Sequence, residues 1–154
     1  MAEDIKNLNM NITVDDGSRR VPIMNMDGEE IGVFRFHPTD IGIIDRYNHM
    51  AEQFDAITAP LEGLNLPEDG QVDVNDTRLT EALDTAEQRL YDAVNGLFKS
   101  DDAAAAFFGK MHPFSPVNGE FYATQVLQKL GAFIGAQFDT ETKAMSQKAK
   151  KYLK

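Results

Sequence analysis

The chain contains no cysteine and no tryptophan among its 154 residues. The lack of cysteine excludes disulfide scaffolds, thiolate zinc sites and cysteine nucleophiles, and it fits a reducing cytosol. No run of about 18 apolar residues is present, so no transmembrane helix is predicted. Residues 1–30 also lack the apolar core of a signal peptide. Together these absences predict a cytoplasmic protein.

Basic residues are scarce, with 15 Lys and Arg against 25 Asp and Glu and a formal net charge of −10. This balance argues against binding to nucleic acid or to anionic membranes, since both depend on Lys and Arg. Five of the lysines, and no acidic residue, lie between Lys143 and Lys154, which leaves a net charge of −15 on residues 1–142. We expect these lysines to complement a helix C-terminal dipole; contact with the acidic body or with a partner are the alternatives.

Catalytic and cofactor motifs are also missing. The sequence has no Gly-x-Ser-x-Gly, no phosphate-binding loop and no Gly-x-Gly-x-x-Gly. The three histidines, His37, His49 and His112, are scattered. His49 and Asp45 share a helix face and could hold a metal, but a solvated histidine beside a carboxylate is the favoured interpretation. The sequence therefore predicts neither an enzyme nor a bound cofactor or metal.

Hydrophobic periodicity predicts an α+β fold that is mainly helical, with an N-terminal antiparallel β-hairpin or meander packed on three to four helices. We expect one domain over residues 10–142, because the length suits a single domain. Residues 1–9 should form a flexible leader, and residues 143–154 a Lys-rich helix end or tail. Three short strands are predicted at 11–14, 20–25 and 30–36, with Asp27-Gly28 as the hairpin turn.

The period changes at Pro38, after which the apolar residues recur at helical spacing. Thr39 and Asp76 are predicted N-caps, Ser100–Asp102 caps a short helix, and Gly109 is a predicted C-terminal stop. Helices are predicted at 40–58, 77–99, 103–108 and 119–140, and a long surface loop at 60–76. The predicted core comprises Tyr47, Met50, Phe54, Leu83, Leu90, Leu127, Leu130 and Phe133.

Large apolar residues crowd around a proline-bracketed loop near the end of the chain. Phe107 and Phe108 are consecutive on a short helix, so their side chains point about 100° apart and one core can hardly bury both. Met111 and Phe114 follow within the loop. We expect these four residues to form an apolar partner-binding surface, with burial beneath the last helix as the alternative.

Three stretches together resemble one family: residues 11–23 (NITVDDGSRRVPI), residues 33–40 (VFRFHPTD) and residues 116–122 (PVNGEFY). In these stretches the chain is similar to the small acidic tail-module proteins of phages and prophages of Gram-positive bacteria, and in particular to tail assembly chaperones. The resemblance covers roughly residues 10–140 as an order of elements: a hairpin, a Phe-x-Phe-x-Pro-x-Asp joint, and helices with a late aromatic-rich one.

The resemblance implies a non-enzymatic role in the bacterial cytoplasm. Such a protein binds the long tape-measure protein and keeps it soluble until tail-tube subunits polymerise around it. The tape-measure protein is thus the expected partner, with the tail-tube protein as a further candidate. A structural tail component retained in the virion, such as a completion or connector subunit, is the alternative function, and a small metal-dependent or acid/base enzyme is a third.

Overall fold

The structure is a computed structural model that describes residues 10–62 and 75–152. It is mostly helical, with an N-terminal two-stranded hairpin packed on helices, as the sequence predicts. The predicted leader, residues 1–9, and most of the predicted long loop lie outside the described residues. The elements in chain order are β1 (Arg19–Met24), β2 (Glu30–Phe36), α1 (Gly42–Glu52), α2 (Phe54–Glu62), α3 (Thr77–Phe98), α4 (Ala103–Phe108), β3 (Pro116–Val117), β4 (Glu120–Phe121) and α5 (Tyr122–Tyr152).

Strands β1 and β2 pair antiparallel with Val21 opposite Phe34. Gly28, in the turn between them, has a φ of +81°, a conformation that glycine adopts without strain. The predicted first strand, residues 11–14, is wrong, because this segment pairs with no strand in the described chain. Asp16, shortly before β1, instead binds His37, the residue that follows β2. The distance between Asp16 Oδ2 and His37 Nε2 is 2.9 Å.

The joint between the hairpin and α1 is organised by Asp40. Its Oδ1 accepts a hydrogen bond from the Gly42 backbone N–H at 3.0 Å, and its Oδ2 accepts one from the Arg46 guanidinium at 2.9 Å. Arg46 also donates from Nε to the Leu97 carbonyl in the last turn of α3. Ile41 occupies the N-cap position of α1, so the prediction that Thr39 caps this helix is wrong. The free N–H of Gly42 is bonded by the Asp40 side chain and not by Thr39.

The predicted helix 40–58 is divided at Gln53 into α1 and α2, because Gln53 caps α1 and α2 begins at the next residue. α2 then packs mainly on α3 and buries Ile57. The predicted end at Pro60 is wrong, since α2 continues through Pro60 to Glu62. Proline lacks the N–H that would bond the Ala56 carbonyl, and Arg89 of α3 donates to that carbonyl at 2.9 Å instead.

Helix α3 begins as predicted, with the Asp76 side chain accepting from the Arg78 N–H. Its last residue is Phe98, and the capping residue that follows, Lys99, adopts the left-handed conformation with a φ of +51°. Gly109 ends α4 as predicted, although its φ of −68° is right-handed and not the left-handed conformation common for a glycine after a helix. A side chain of α3 caps the N-terminus of α4: the Asn95 side chain accepts a hydrogen bond from the Ala104 N–H. Asp102 occupies the N-cap position, but its side chain makes no capping hydrogen bond.

A second, small hairpin precedes the last helix. Asn118 and Gly119 have φ values of +55° and +85°, which is the geometry of a tight primed turn between β3 and β4. The sequence prediction of a helix from 119 is therefore wrong at its start: α5 begins at Tyr122. Asn-Gly is the strongest short hairpin signal, so the turn was visible in the sequence. α5 then runs unbroken to Tyr152, through most of the Lys-rich segment.

Phenylalanine rings join the hairpin to the helices. Phe34 and Phe36 of β2 lie with their ring centroids 4.9 and 4.8 Å from that of Phe98 at the end of α3. β2 also approaches α4 closely, since a Cβ placed on Gly32 would lie 1.9 Å from the Ala106 carbonyl oxygen. Within the described residues, no helix is both long and apolar enough to cross a membrane.

The predicted core residues all contribute to the interior. Met50, Leu90 and Leu130 are buried. The other five are partly buried and pack against the buried cluster: Tyr47, Phe54, Leu83, Leu127 and Phe133.

Candidate functional site

The four residues predicted to bind a partner do not form one exposed surface. Phe108 and Phe114 are buried, with 3% and 5% of their surface exposed. Phe107 is half-buried, and Met111 is exposed at 38%. Phe108 and Phe114 are therefore buried instead of exposed to a partner, Phe108 beside Tyr122 at the start of α5 and Phe114 beside Phe121 of β4. Whether the neighbourhood of Met111 contacts a partner stays a prediction.

The two consecutive phenylalanines have different neighbours and are not both fully buried, as their 100° separation predicts: Phe108 is buried and Phe107 is half-buried. Phe107 lies 5.3 Å from Phe34 of the hairpin, measured between ring centroids. Phe108 points the other way, 6.1 Å from Tyr91 on α3 and 5.8 Å from Tyr122 on α5. α4 lies between the hairpin and the longer helices, so each of its faces meets a separate part of the core.

The histidines have structural partners. His37 binds Asp16, and this hydrogen bond, with a second one from the Ser18 N–H, holds the pKa of the Asp16 carboxyl well below its usual range. His49 lies 3.1 Å from the Gln53 side-chain amide, and His112 accepts from the Phe114 N–H at Nδ1. Across residues 10–62 and 75–152, no group of three or more acidic or histidine side chains is arranged to hold a metal ion.

An open apolar surface lies between α1 and α5, and we call it the α1–α5 groove. It has a volume of about 270 Å³. The Tyr47 side chain lines it and donates from its hydroxyl to the Leu127 carbonyl at 2.9 Å. Burial raises the pKa of the Tyr47 hydroxyl, so it stays a donor at neutral pH. The groove is lined by Ile44, Tyr47, Asn48, Gly131, Ile134, Gly135 and Phe138.

An exposed isoleucine and a glycine without contacts make the α1–α5 groove accessible. Ile44, which lines the groove, is 43% exposed. A Cβ placed on Gly135 would meet nothing within 4 Å, so another chain can approach the α5 backbone closely there. An amphipathic helix laid along such a groove would bury apolar side chains on both partners.

Sequence analysis missed this groove, although its parts were visible. Ile44 follows the buried Ile43 directly, so it lies off the most buried side of α1. Gly131 and Gly135 lie within α5. Their four-residue spacing puts both on one face of α5, which is the signal that could have indicated a shallow face.

A second groove, which we call the α1–α3 groove, lies on the other side of α1. It has a volume of about 300 Å³. Its lining mixes buried apolar groups with charged ones: Asp45, Arg46, His49, Met50, Gln53, Asp92, Ala93, Gly96 and Leu97. The two sides of α1 therefore present different chemistry, one apolar and one rimmed by carboxylates.

Comparison of the chain with models of known protein families, with characterised proteins and with solved structures found no match.

Proposed function

We propose that this chain is a phage or prophage tail assembly chaperone whose α1–α5 groove binds apolar helical segments of the tape-measure protein. The observation that carries the proposal is the groove itself, an open apolar channel on an otherwise strongly acidic surface. A holdase has to cover apolar faces of a long helical client while it stays soluble, and these two features supply both requirements.

The chemistry of the α1–α5 groove suits many related segments rather than one sequence. Its lining is aliphatic and aromatic, with a glycine floor and few hydrogen-bonding groups that would demand a particular partner side chain. Affinity in such a groove comes from buried apolar area, and the partner helix would contribute residues at i, i+3, i+4 and i+7. A tape-measure protein offers repeated faces of this kind, so several chaperone copies could bind along one client.

Co-expression with the tape-measure protein of the same tail module tests the proposal. The wild-type chain should raise the soluble fraction of the tape-measure protein. Ile44→Asp places a charge at the mouth of the groove, and Gly135→Leu fills its floor; each should abolish most of that gain. Met26→Asp is the matched control, because Met26 is fully exposed at the tip of the first hairpin, away from the groove.

The outcomes separate the possibilities. If the wild-type chain does not raise the soluble fraction, the chaperone function is refuted. If it does so equally well with Ile44→Asp and Gly135→Leu, the function stands but the groove is not the binding surface. A fixed number of copies in purified phage particles would instead support a structural tail component.

A further inference from the structure

Helix α5 extends well beyond the body of the protein. Phe138 is the last residue of α5 that packs against the core, and every residue from 139 to 148 is exposed. We call residues 139–152 the overhang; at 1.5 Å per residue it is about 20 Å long. Propagation from α5 removes the cost of nucleating this helix, but nothing in the described part of the chain covers residues 139–148.

The overhang is basic beyond Glu141, where all of its charged residues are lysines, starting with Lys143 and Lys148. Among residues 139–148 the large apolar side chain is Met145, which is 70% exposed. A complementary surface would offer carboxylates around a small apolar floor.

The α1–α3 groove has this complementary chemistry. Its floor contains Met50 and Leu97, which are 4% and 2% exposed. Asp45 on its rim makes no hydrogen bond or ion pair within the described chain, and Asp92 accepts one bond from Gln88. A Cβ on Gly96 would meet nothing within 4 Å, so the α3 backbone is open to close approach.

The positive charge in the α1–α3 groove, that of Arg46, already has partners within the chain. The Arg46 guanidinium binds Asp40 and the Leu97 carbonyl, as described for the joint. The free charges on the rim are therefore negative, which favours a lysine-bearing partner.

We infer that the α1–α3 groove binds the overhang of a second copy of this chain. Met145 packs on the apolar floor, and Lys148, three residues later on the same side of α5, lies beside the rim carboxylates of Asp45 and Asp92. The overhang cannot reach the groove of its own body, because α5 lies on the opposite side of α1 and continues away as an unbroken helix. Two copies that exchange overhangs fill both grooves at once, which gives a two-fold symmetric dimer.

The inference is independent of the proposed function, because it uses the other side of α1. Ile44→Asp alters only the α1–α5 groove, so it should leave the dimer intact even where it abolishes binding of the tape-measure protein. A chain that dimerises but does not bind the tape-measure protein would contradict only the proposed function. A chain that binds the tape-measure protein but stays monomeric would contradict only this inference.

Light scattering coupled to size-exclusion chromatography, on the full chain, tests the inference. At about 50 mM NaCl the wild-type chain should have twice the monomer mass of 17.2 kDa, and about 500 mM NaCl should weaken the dimer at least about tenfold. The groove variant Asp45→Lys with Asp92→Lys should be monomeric, and so should the overhang variant Lys148→Glu. Lys143→Glu is the charge-matched control and should stay dimeric, because Lys143 lies on the opposite side of α5 from Met145.

Mixing the two charge-reversed variants gives the decisive measurement. In the mixture each groove meets an overhang of opposite charge, so a heterodimer should form from two monomeric proteins. Asp45→Asn with Asp92→Asn, which alters the fold even less, should raise the dimer dissociation constant at least about threefold. A wild-type chain that is monomeric at both salt concentrations, or a mixture that stays monomeric, would refute the inference. A wild-type dimer that persists in both charge-reversed variants would place the interface elsewhere.

Discussion

At the scale of single residues, three tyrosine hydroxyls join neighbouring elements through backbone carbonyls. The bonds are Tyr47 to Leu127 at 2.9 Å, Tyr91 to Phe108 at 3.3 Å and Tyr122 to Phe107 at 3.2 Å. Two of the carbonyls belong to the end of α4, where no further turn supplies an N–H, so the hydroxyls satisfy acceptors that the helix leaves open. Burial raises the pKa of all three hydroxyls, and they therefore stay donors through the physiological range.

The tyrosine bond to α5 depends on a glycine. A Cβ on Gly131 would lie 2.5 Å from the Tyr47 hydroxyl oxygen, whereas one on Gly135 would meet nothing within 4 Å. We therefore predict that Gly131→Ala lowers the free energy of unfolding by about 1–3 kcal/mol, because Tyr47 or α5 has to move. Gly135→Ala should raise it by about 0.5–1 kcal/mol, because alanine favours the helix.

Urea denaturation of the two alanine variants measures both changes, and each serves as the control for the other. Both glycines lie inside the same helix and differ by one turn, so helix propensity alone predicts the same effect at both. Equal stabilisation of the two variants would show that Tyr47 does not occupy the space above Gly131.

At the scale of elements, α2 shows how a helix tolerates an internal proline. Pro60 leaves the Ala56 carbonyl without its usual donor, and the Arg89 guanidinium of α3 supplies a replacement at 2.9 Å. One hydrogen bond thus satisfies the free Ala56 carbonyl of α2 and also joins α2 to α3. The compensation comes from a residue 33 positions from Ala56, which local sequence patterns do not detect.

A double-mutant cycle tests this compensation. Arg89→Met should lower the free energy of unfolding by about 1 kcal/mol in the wild-type chain, since it leaves the Ala56 carbonyl without a protein donor. In a Pro60→Ala background the restored N–H bonds that carbonyl, so Arg89→Met should cost clearly less. Thermal or urea unfolding of the four proteins measures the difference. The same cost in both backgrounds would mean that Arg89 acts only through its packing.

At the scale of the whole molecule, carboxylates that bind the hairpin and its joint make stability depend on acid. The hydrogen bond from Arg46, with a second one from the Gly42 N–H, holds the pKa of Asp40 below its ordinary value of 3.8. A carboxyl whose pKa is lower in the folded state stabilises the fold above the unfolded pKa. That contribution disappears as the pH falls through the folded pKa, because the carboxyl then takes up a proton in both states.

We predict that the wild-type chain loses stability as the pH falls from about 5 to about 2, and that Asp40→Asn loses less over that range. Arg46→Gln removes the partner of the carboxylate, so it should flatten the pH dependence in the same direction. Urea midpoints measured across this range check both variants. A pH dependence of Asp40→Asn as steep as that of the wild-type chain would assign the acid sensitivity to other carboxylates.

Features that depend on local chemistry were determined by the sequence alone. The change of period at Pro38 separates the hairpin from the helices, Asp27-Gly28 forms the predicted turn, and Asp76 caps α3. Each depends on residues within a few positions of one another, so the local sequence is enough. The Asn118-Gly119 turn belongs with them, since the same rule predicts it although the helical pattern after it hid it.

Only the tertiary structure decided which apolar residues face solvent. Phe108 and Phe114 look as exposed in the sequence as Ile44, yet the two phenylalanines are buried and Ile44 lines an open groove. A helical repeat defines a face but not what covers it, because covering depends on elements far apart in the chain. For the same reason, the periodicity that continues α5 beyond Phe138 does not reveal that the body of the protein ends there.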